Sequence, residues 1–252
     1  DYAKPRKVRV AHLVGMDDPT YSITRAIEKE GISLFKIKLG GKPEVDAERV
    51  NGIAALKGVA GLTADANEAY GSTEDLRNFV QLLNKRAQRA LLLIEQPFLR
   101  NSAASVKNAG VKIPIFADES SADHRDIKKL HELGYKGVAL KPHTKTFSGT
   151  LLALDELRKY RMPYAVMDLT TATPVGYVVG AAFAARVNTA AGVELNGRQY
   201  YRAWDKLISR GFSAERSSFE VKNGLSNVSR FSAAHGWGVS DKAFSGYFKF
   251  SK

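Results

Sequence analysis

The sequence contains no cysteine. Disulfides and thiolate metal sites are therefore closed to it. It has no run of about 18 apolar residues of the kind that spans a bilayer, so no membrane partner is expected. The first residues, Asp1-Tyr2-Ala3-Lys4-Pro5-Arg6-Lys7, have no apolar centre and do not form a signal peptide. They also lack an initiating Met, so a processed product or a piece of a longer chain is expected, with a cytoplasmic location. Low-complexity segments and internal linkers are missing as well. Acidic residues are in deficit: 26 Asp and Glu face 38 Lys and Arg, leaving a net charge of +12. Such an excess can mark a nucleic-acid binder. Here the basic residues are scattered, with no long basic run and no aromatic-interleaved motif, so no nucleic-acid partner is expected. A basic field around a cleft would instead draw in small anions.

What is present suffices for a large core. Apolar residues make up 44% of 252 positions, which suits one large α/β domain or two ordinary ones. A strand–helix unit recurs along the chain. Val8 to Val14 reads as a strand, and Asp17-Asp18-Pro19 offers a cap for a helix running to about Lys29. Leu34 to Leu39 is the second strand, followed by a helix from Pro43 to about Leu56. Further strands are expected at Leu62–Ala66, Ala90–Glu95, Ile113–Asp118, Gly137–Lys141, Tyr164–Asp168 and Ala191–Leu195. Helical segments separate them, the last around Trp204 to Arg210. Short apolar strands alternating with helices indicate a covered parallel sheet. Eight such units predict a (β/α)8 TIM-type barrel over residues 1–211. An open doubly wound sheet is the alternative, but no Gly-x-Gly-x-x-Gly follows the first strand. Residues 212–252 break the rhythm. This tail is expected to pack over the barrel or against a capping domain.

The polar residues stand at strand ends. Lys36 and Lys38 lie two apart, so both project to one face of their strand. Asp65 ends the third strand, Glu95 the fourth, Asp118 the fifth and Lys141 the sixth. In a barrel these ends converge on the active-site face. Three carboxylates from adjacent strands, with no cysteine and no histidine cluster, suit a hard cation such as Mg2+. Each residue alone could be a cap, a turn former or an ion-pair partner. The succession over five strands is what points to a site. His143 is close enough to Lys141 to reach the mouth, and His12 is expected in the barrel interior.

These motifs resemble the barrel domain of the enolase superfamily, within the mandelate racemase/muconate lactonizing enzyme group. Lys36-Ile37-Lys38 is similar to that family's second-strand Lys-x-Lys. Ala64-Asp65-Ala66-Asn67, Ile94-Glu95-Gln96-Pro97 and Ala117-Asp118-Glu119-Ser120 resemble its three acidic motifs. Leu140-Lys141-Pro142 is similar to the sixth-strand lysine of the muconate lactonizing and o-succinylbenzoate synthase-like branch. Gly236-Trp237-Gly238-Val239 resembles the family's closing segment. The resemblance implies an isomerase or lyase: Mg2+-dependent removal of a proton α to a carboxylate, through an enediolate, as in epimerases, cycloisomerases and syn-dehydratases. On that reading Asp65, Glu95 and Asp118 hold the metal, Lys38 is the base, Lys36 tunes it, and Lys141 acts from the opposite side. Asn67, Asp168 and Glu194 are the expected substrate contacts, and the substrate is a small carboxylate. Met167-Asp168-Leu169 lacks the His of the racemase branch. Glu194-Leu195-Asn196 departs from the Asp-x-Asp of dipeptide epimerases. The family's N-terminal capping domain is absent from this chain and is expected to be missing or supplied in trans; a homo-oligomer fits equally. A non-catalytic barrel, and less readily a nucleic-acid binder, are the alternatives.

Overall fold

In the computed structural model, which describes residues 7–102, 106–168 and 172–229, the apolar runs form strands buried on both faces. The elements follow in order: β1 Val8–Val14, α1 Thr20–Glu30, β2 Leu34–Lys38, α2 Pro43–Ala55, β3 Gly61–Asp65, α3 Thr73–Leu82, α4 Lys85–Ala90, β4 Leu91–Glu95, α5 Val106–Ala109 and β5 Ile115–Ala117. Then come α6 Asp126–Leu133, β6 Gly137–Leu140, α7 Phe147–Lys159, β7 Tyr164–Val166, α8 Pro174–Ala184, β8 Val193–Glu194, α9 Gly197–Tyr200 and α10 Trp204–Gly211. A 3-10 segment at Ser213–Phe219 leads to β9 Val221–Lys222 and β10 Leu225–Ser226. Strands β1 to β8 pair in parallel in sequence order, and β8 pairs back onto β1, so the sheet closes. This is the eight-stranded barrel that the alternation predicts.

The two faces of the barrel differ in kind. The outer face meets the helices in one continuous apolar layer that includes Val10, Phe35, Ile37, Leu62, Ile94 and Val138. The interior cluster is small: Leu93, Phe116, Ala139, Ala165, Met167 and Ala191. Phe116 fills this space because its register partner is Gly137. A Cβ on Gly137 would lie 2.3 Å from the Phe116 ring. His12 belongs to the outer face, not the interior as expected. It pairs in register with Phe35 and meets that ring edge-on at 5.9 Å. Strand parity explains this: Lys36 points inward, its register partner Leu13 does too, and His12 therefore points out.

Local chemistry sets the strand ends. Asp46, in the first turn of α2, accepts hydrogen bonds from Gly40 N at 2.8 Å, Gly41 N at 2.9 Å and Tyr70 OH at 2.9 Å. One buried carboxylate thus fixes the turn that follows the lysine strand. Gly41 has φ +79, and a Cβ there would strike the Ala69 carbonyl, so only glycine fits. Asp18 does not cap α1, contrary to expectation. Its carboxylate accepts from Gly15 N at 2.7 Å, and Pro19 takes the cap position. The helix between β4 and β5 starts at Val106 among the described residues. After the barrel, Asn223 and Gly224 both adopt positive φ and close the β9–β10 hairpin, as two-residue turns of this type do. β10 then adds antiparallel to the start of β1, opposite Val8 and Arg9. The Gly236-Trp237-Gly238-Val239 motif lies outside the described residues.

Candidate active site

Parallel register carries the charged residues into one row. Lys38 is the partner of Asp65, and Asp65 the partner of Glu95. Glu95 pairs with Phe116, which leaves Asp118 two residues above, past the end of β5. All three carboxylates are buried, none more than 2% exposed. Gln96 holds the neighbouring ends together. It sits at φ 37, and its side-chain carbonyl accepts from Asp118 N and Ser120 N, both at 3.0 Å. Its amide donates to Phe98 O and Ser120 Oγ. Such a strained, fully bonded residue fixes where Asp118 begins.

Lys36 lies at the bottom of the cluster. Its ammonium is 2.9 Å from Asp65 Oδ2, 2.8 Å from Glu95 Oε2 and 2.8 Å from Glu194 Oε1. Burial alone would push the lysine pKa down, but Asp65, Glu194 and Glu95 outweigh it and hold it well above its ordinary value. Lys36 is a charged ammonium here. Lys38 shares Asp65 Oδ2 with it, at 2.7 Å, and also donates to Asn67 Oδ1. Asn67 Nδ2 donates to Glu119 at 3.1 Å. Lys141 pairs with Asp118 Oδ2, and Lys145 reaches Asp118 Oδ1 at 3.1 Å and its carbonyl at 2.8 Å. Four ammonium groups (Lys36, Lys38, Lys141, Lys145) thus face four carboxylates (Asp65, Glu95, Asp118, Glu194).

The carboxylates respond differently. Burial works against ionisation of Asp65, but Lys36 and Lys38 hold it below the usual carboxylate range. Asp118 is also lowered: burial opposes, and Lys145 and Lys141 prevail. Glu95 moves the other way, raised by burial and by the charge of Asp65. Lys141 is raised, because Asp118 and Glu95 exceed the effect of burial. Burial dominates at Lys145 and lowers it.

The remaining residues form a second chain of contacts. Asn196 N donates to Asp168 Oδ2 at 2.8 Å, and Asn196 Nδ2 donates to Glu194 Oε2 at 2.8 Å. His143 Nε2 lies 2.9 Å from Asp168 Oδ1. Asp168 and Glu194 are both buried, so as arranged here they face protein partners. Lys145, Asn196 and Gln96 were not expected at the site. Lys145 gives no strand-end signal because it lies in the loop after β6. Gln96 could have been found as the residue between Glu95 and the strand-closing Pro97.

The donor set suits a hard cation: three carboxylates on adjacent strands, one of which, Glu95, has a buried Oε1 with no hydrogen-bond partner among the described residues. As they stand, no three Asp, Glu or His side chains among the described residues are gathered as a metal-ligand set. Ammonium groups occupy Asp65 Oδ2, Glu95 Oε2 and both oxygens of Asp118 instead.

Comparison with known proteins bears on this arrangement. A family model described as enolase C-terminal domain-like matches residues 21–241. The D-Ala-D/L-Ala epimerase of Cytophaga hutchinsonii is 27% identical over 135 residues, 52% of this chain and 36% of that protein. The dipeptide epimerase of Enterococcus faecalis V583, solved with Mg and L-Leu-L-Tyr, superposes with a TM-score of 0.67 at 24% identity, over 78% of this chain and 56% of that one. The muconate lactonizing enzyme of Pseudomonas putida gives a TM-score of 0.66 at 22% identity, over 79% and 57%. At these identities the superpositions establish the fold. The chain spans 36% of the curated relative and 56% and 57% of the two solved chains.

Proposed function

The chain belongs to the enolase C-terminal domain-like family, and from that premise we propose that it removes a proton α to a carboxylate, as an isomerase or lyase acting on a small carboxylate substrate. The observation that carries this reading is the placement of two partly accessible lysines. Lys38 stands on β2 and Lys141 at the end of β6, four strands apart in a ring of eight, and so on opposite sides of the mouth. Their side chains are 25% and 15% exposed, whereas Lys36 is sealed beneath them. Between them lie the ends of β3, β4 and β5, with Asp65, Glu95 and Asp118.

On this reading those three carboxylates would hold a Mg2+ ion, whose charge would stabilise a substrate carboxylate as its α-proton leaves. Lys38 takes the proton, once free of Asp65. Lys141, across the mouth, returns a proton or supports charge on that face. Lys36 stays charged and keeps Asp65, Glu95 and Glu194 in place; it is not a base. Asn67 steers Lys38 through its side-chain carbonyl. Asp168 and Glu194 contact substrate only if they release Asn196. A capping segment, one chain or another, closes the mouth against water.

The test is exchange of the α-proton in D2O, followed by NMR, over a panel of dipeptides and simple α-substituted carboxylates with Mg2+. Exchange should fall by at least a thousandfold in Lys38→Ala while the fold is retained by circular dichroism. Exchange that is unchanged in both Lys38→Ala and Lys141→Ala would overturn the assignment. Relatives named as epimerases and as a muconate lactonizing enzyme support the reaction class and leave its stereochemical outcome to this assay.

A further inference from the structure

A second polar cavity lies outside the barrel, against the outer face of β1. Its volume is about 620 Å3, and it runs along α1 toward α9. Ser22, Arg25 and Lys29, spaced by three and four residues, form one stripe of α1 that lines it. Arg198 of α9 forms the other wall, and His12 lines it from β1.

The polar groups around this cavity are unpaired in a consistent sense. The Arg198 side chain is 9% exposed. Its Nη1 donates to both oxygens of Glu30, at 2.8 and 2.7 Å. Its Nε and Nη2 are buried and have no hydrogen-bond partner among the described residues. Those two N–H groups form the parallel edge that guanidinium uses to grip a carboxylate or phosphate. His12 adds a third donor, and its tautomer follows from its neighbours. Gln199 Oε1 accepts from Leu13 N at 3.2 Å, which makes Gln199 Nε2 the donor toward Leu13 O and toward His12 Nε2, at 3.1 Å. His12 Nε2 therefore accepts, and the proton sits on Nδ1, which is buried and unpaired among the described residues. Ser22 Oγ is also buried without a partner among them. The carboxylates in this cavity are committed: Glu30 to Arg198, and Asp18 to Gly15 N and Tyr200 OH.

Three N–H donors and a hydroxyl lack a partner among the described residues, and Arg25 and Lys29 add positive charge. We propose that this cavity binds a small oxyanion, a phosphate or carboxylate group, on the Nε–Nη2 edge of Arg198. His12 Nδ1–H and Ser22 Oγ complete the contacts, and Arg25 and Lys29 hold the anion from the solvent side. The site is separate from the barrel mouth, because His12 and Lys36 project to opposite faces of the sheet.

The experiment is titration of the protein with inorganic phosphate, and separately with acetate, at constant ionic strength. Binding is read by calorimetry and by the 1H–15N shifts of the Arg198 Nε–H and the His12 ring. Saturable binding with displacement of those resonances is expected, and the tighter anion identifies the group. Arg25→Gln combined with Lys29→Gln, two exposed changes, should weaken it by about tenfold or more. Arg198→Gln should abolish it. Lys129→Gln, an exposed charge on α6 across the barrel from β1, should leave it unchanged. Absence of saturable binding to either anion would mean that the cavity holds water only. An equal loss in Lys129→Gln would mean that the +12 net charge attracts anions without a site. Either result overturns the proposal.

Discussion

Replacing Lys36 by Met tests the organisation of the charged cluster most directly. Met keeps an unbranched stem of similar length and removes the ammonium. Three carboxylates lose a partner within 3 Å. Asp65 keeps Lys38 and Asn67 N, and Glu194 keeps Asn196 Nδ2. Glu95 loses its Oε2 ion pair, while its Oε1 is already unpaired among the described residues. Breaking a buried ion pair on one side costs about 3–5 kcal/mol. For a chain of this size each kcal/mol lowers the melting midpoint by about 2–4 °C, so a fall of roughly 6–20 °C is expected at pH 7. The pH dependence has a definite sign. Without the ammonium, Glu95, already raised by burial and by Asp65, loses the charge that opposes this, so its folded-state pKa stands further above its unfolded one. The penalty is then absent below about pH 4 and grows as pH rises through the unfolded and toward the folded values. Scanning calorimetry from pH 4 to 8 measures it. A second arm adds Mg2+. If the freed carboxylates form a cation site, Mg2+ at a hundred times its Kd should return about 2.7 kcal/mol to the variant and less to the native chain. A midpoint within 2 °C of the native protein at pH 7 would refute the view that Lys36 neutralises the cluster. A variant that is destabilised but indifferent to Mg2+ would refute the cation site alone.

Two further outcomes are expected. Asp46→Ala leaves Gly40 N, Gly41 N and Tyr70 OH without their acceptor, so urea unfolding should show a loss of about 3 kcal/mol; a loss below 1 kcal/mol would show that the turn after β2 is held otherwise. Adding Mg2+ and a monocarboxylate to weakly buffered protein near pH 8 should release about one proton per ion bound, measured with an indicator dye; uptake of the pair without proton release would contradict a neutral lysine base.

Much of the barrel is legible in the sequence because each strand is short, apolar and closed by a polar residue or proline. The row from Lys38 through Asp65 to Glu95 follows from strand ends alone, and parallel register then aligns it. What the sequence hides is pairing. The parity of β2 places Lys36 and Lys38 on one face, but it does not say that Lys36 sinks among Asp65, Glu95 and Glu194 while Lys38 stays nearer the surface. The His12 misassignment has the same root. β1 is mostly apolar on both faces, with Arg9 on one and His12 on the other, so its own pattern carries no direction, and only its register with Lys36 supplies one. Lys145 escapes because it reaches Asp118 from a loop, where periodicity says nothing. The β9–β10 hairpin was readable from Asn223-Gly224, a strong turn signal that the loss of strand–helix rhythm obscured.

The balance of four ammonium groups against four carboxylates bears on how a lysine becomes a base. Lys36 and Lys141 are held above their ordinary pKa values by the very carboxylates proposed to hold a cation. In this state a neutral amine is disfavoured at both. Cation binding would change the sum, not one pair. A divalent ion engaging Asp65, Glu95 and Asp118 would add two positive charges to the cluster, and a monocarboxylate substrate would remove one. Loss of one proton from the cluster would offset the charge that remains. The lysine that gives it up should be one that loses its carboxylate to the ion and has access to solvent. Lys36 fails the second condition and retains Glu194. Lys38 meets both, since among the described residues its only carboxylate partner is Asp65 and its side chain is a quarter exposed. On the proposed reading, position in the cluster would select Lys38 as the base, with the buried Lys36 contributing the fixed charge against which that selection is made.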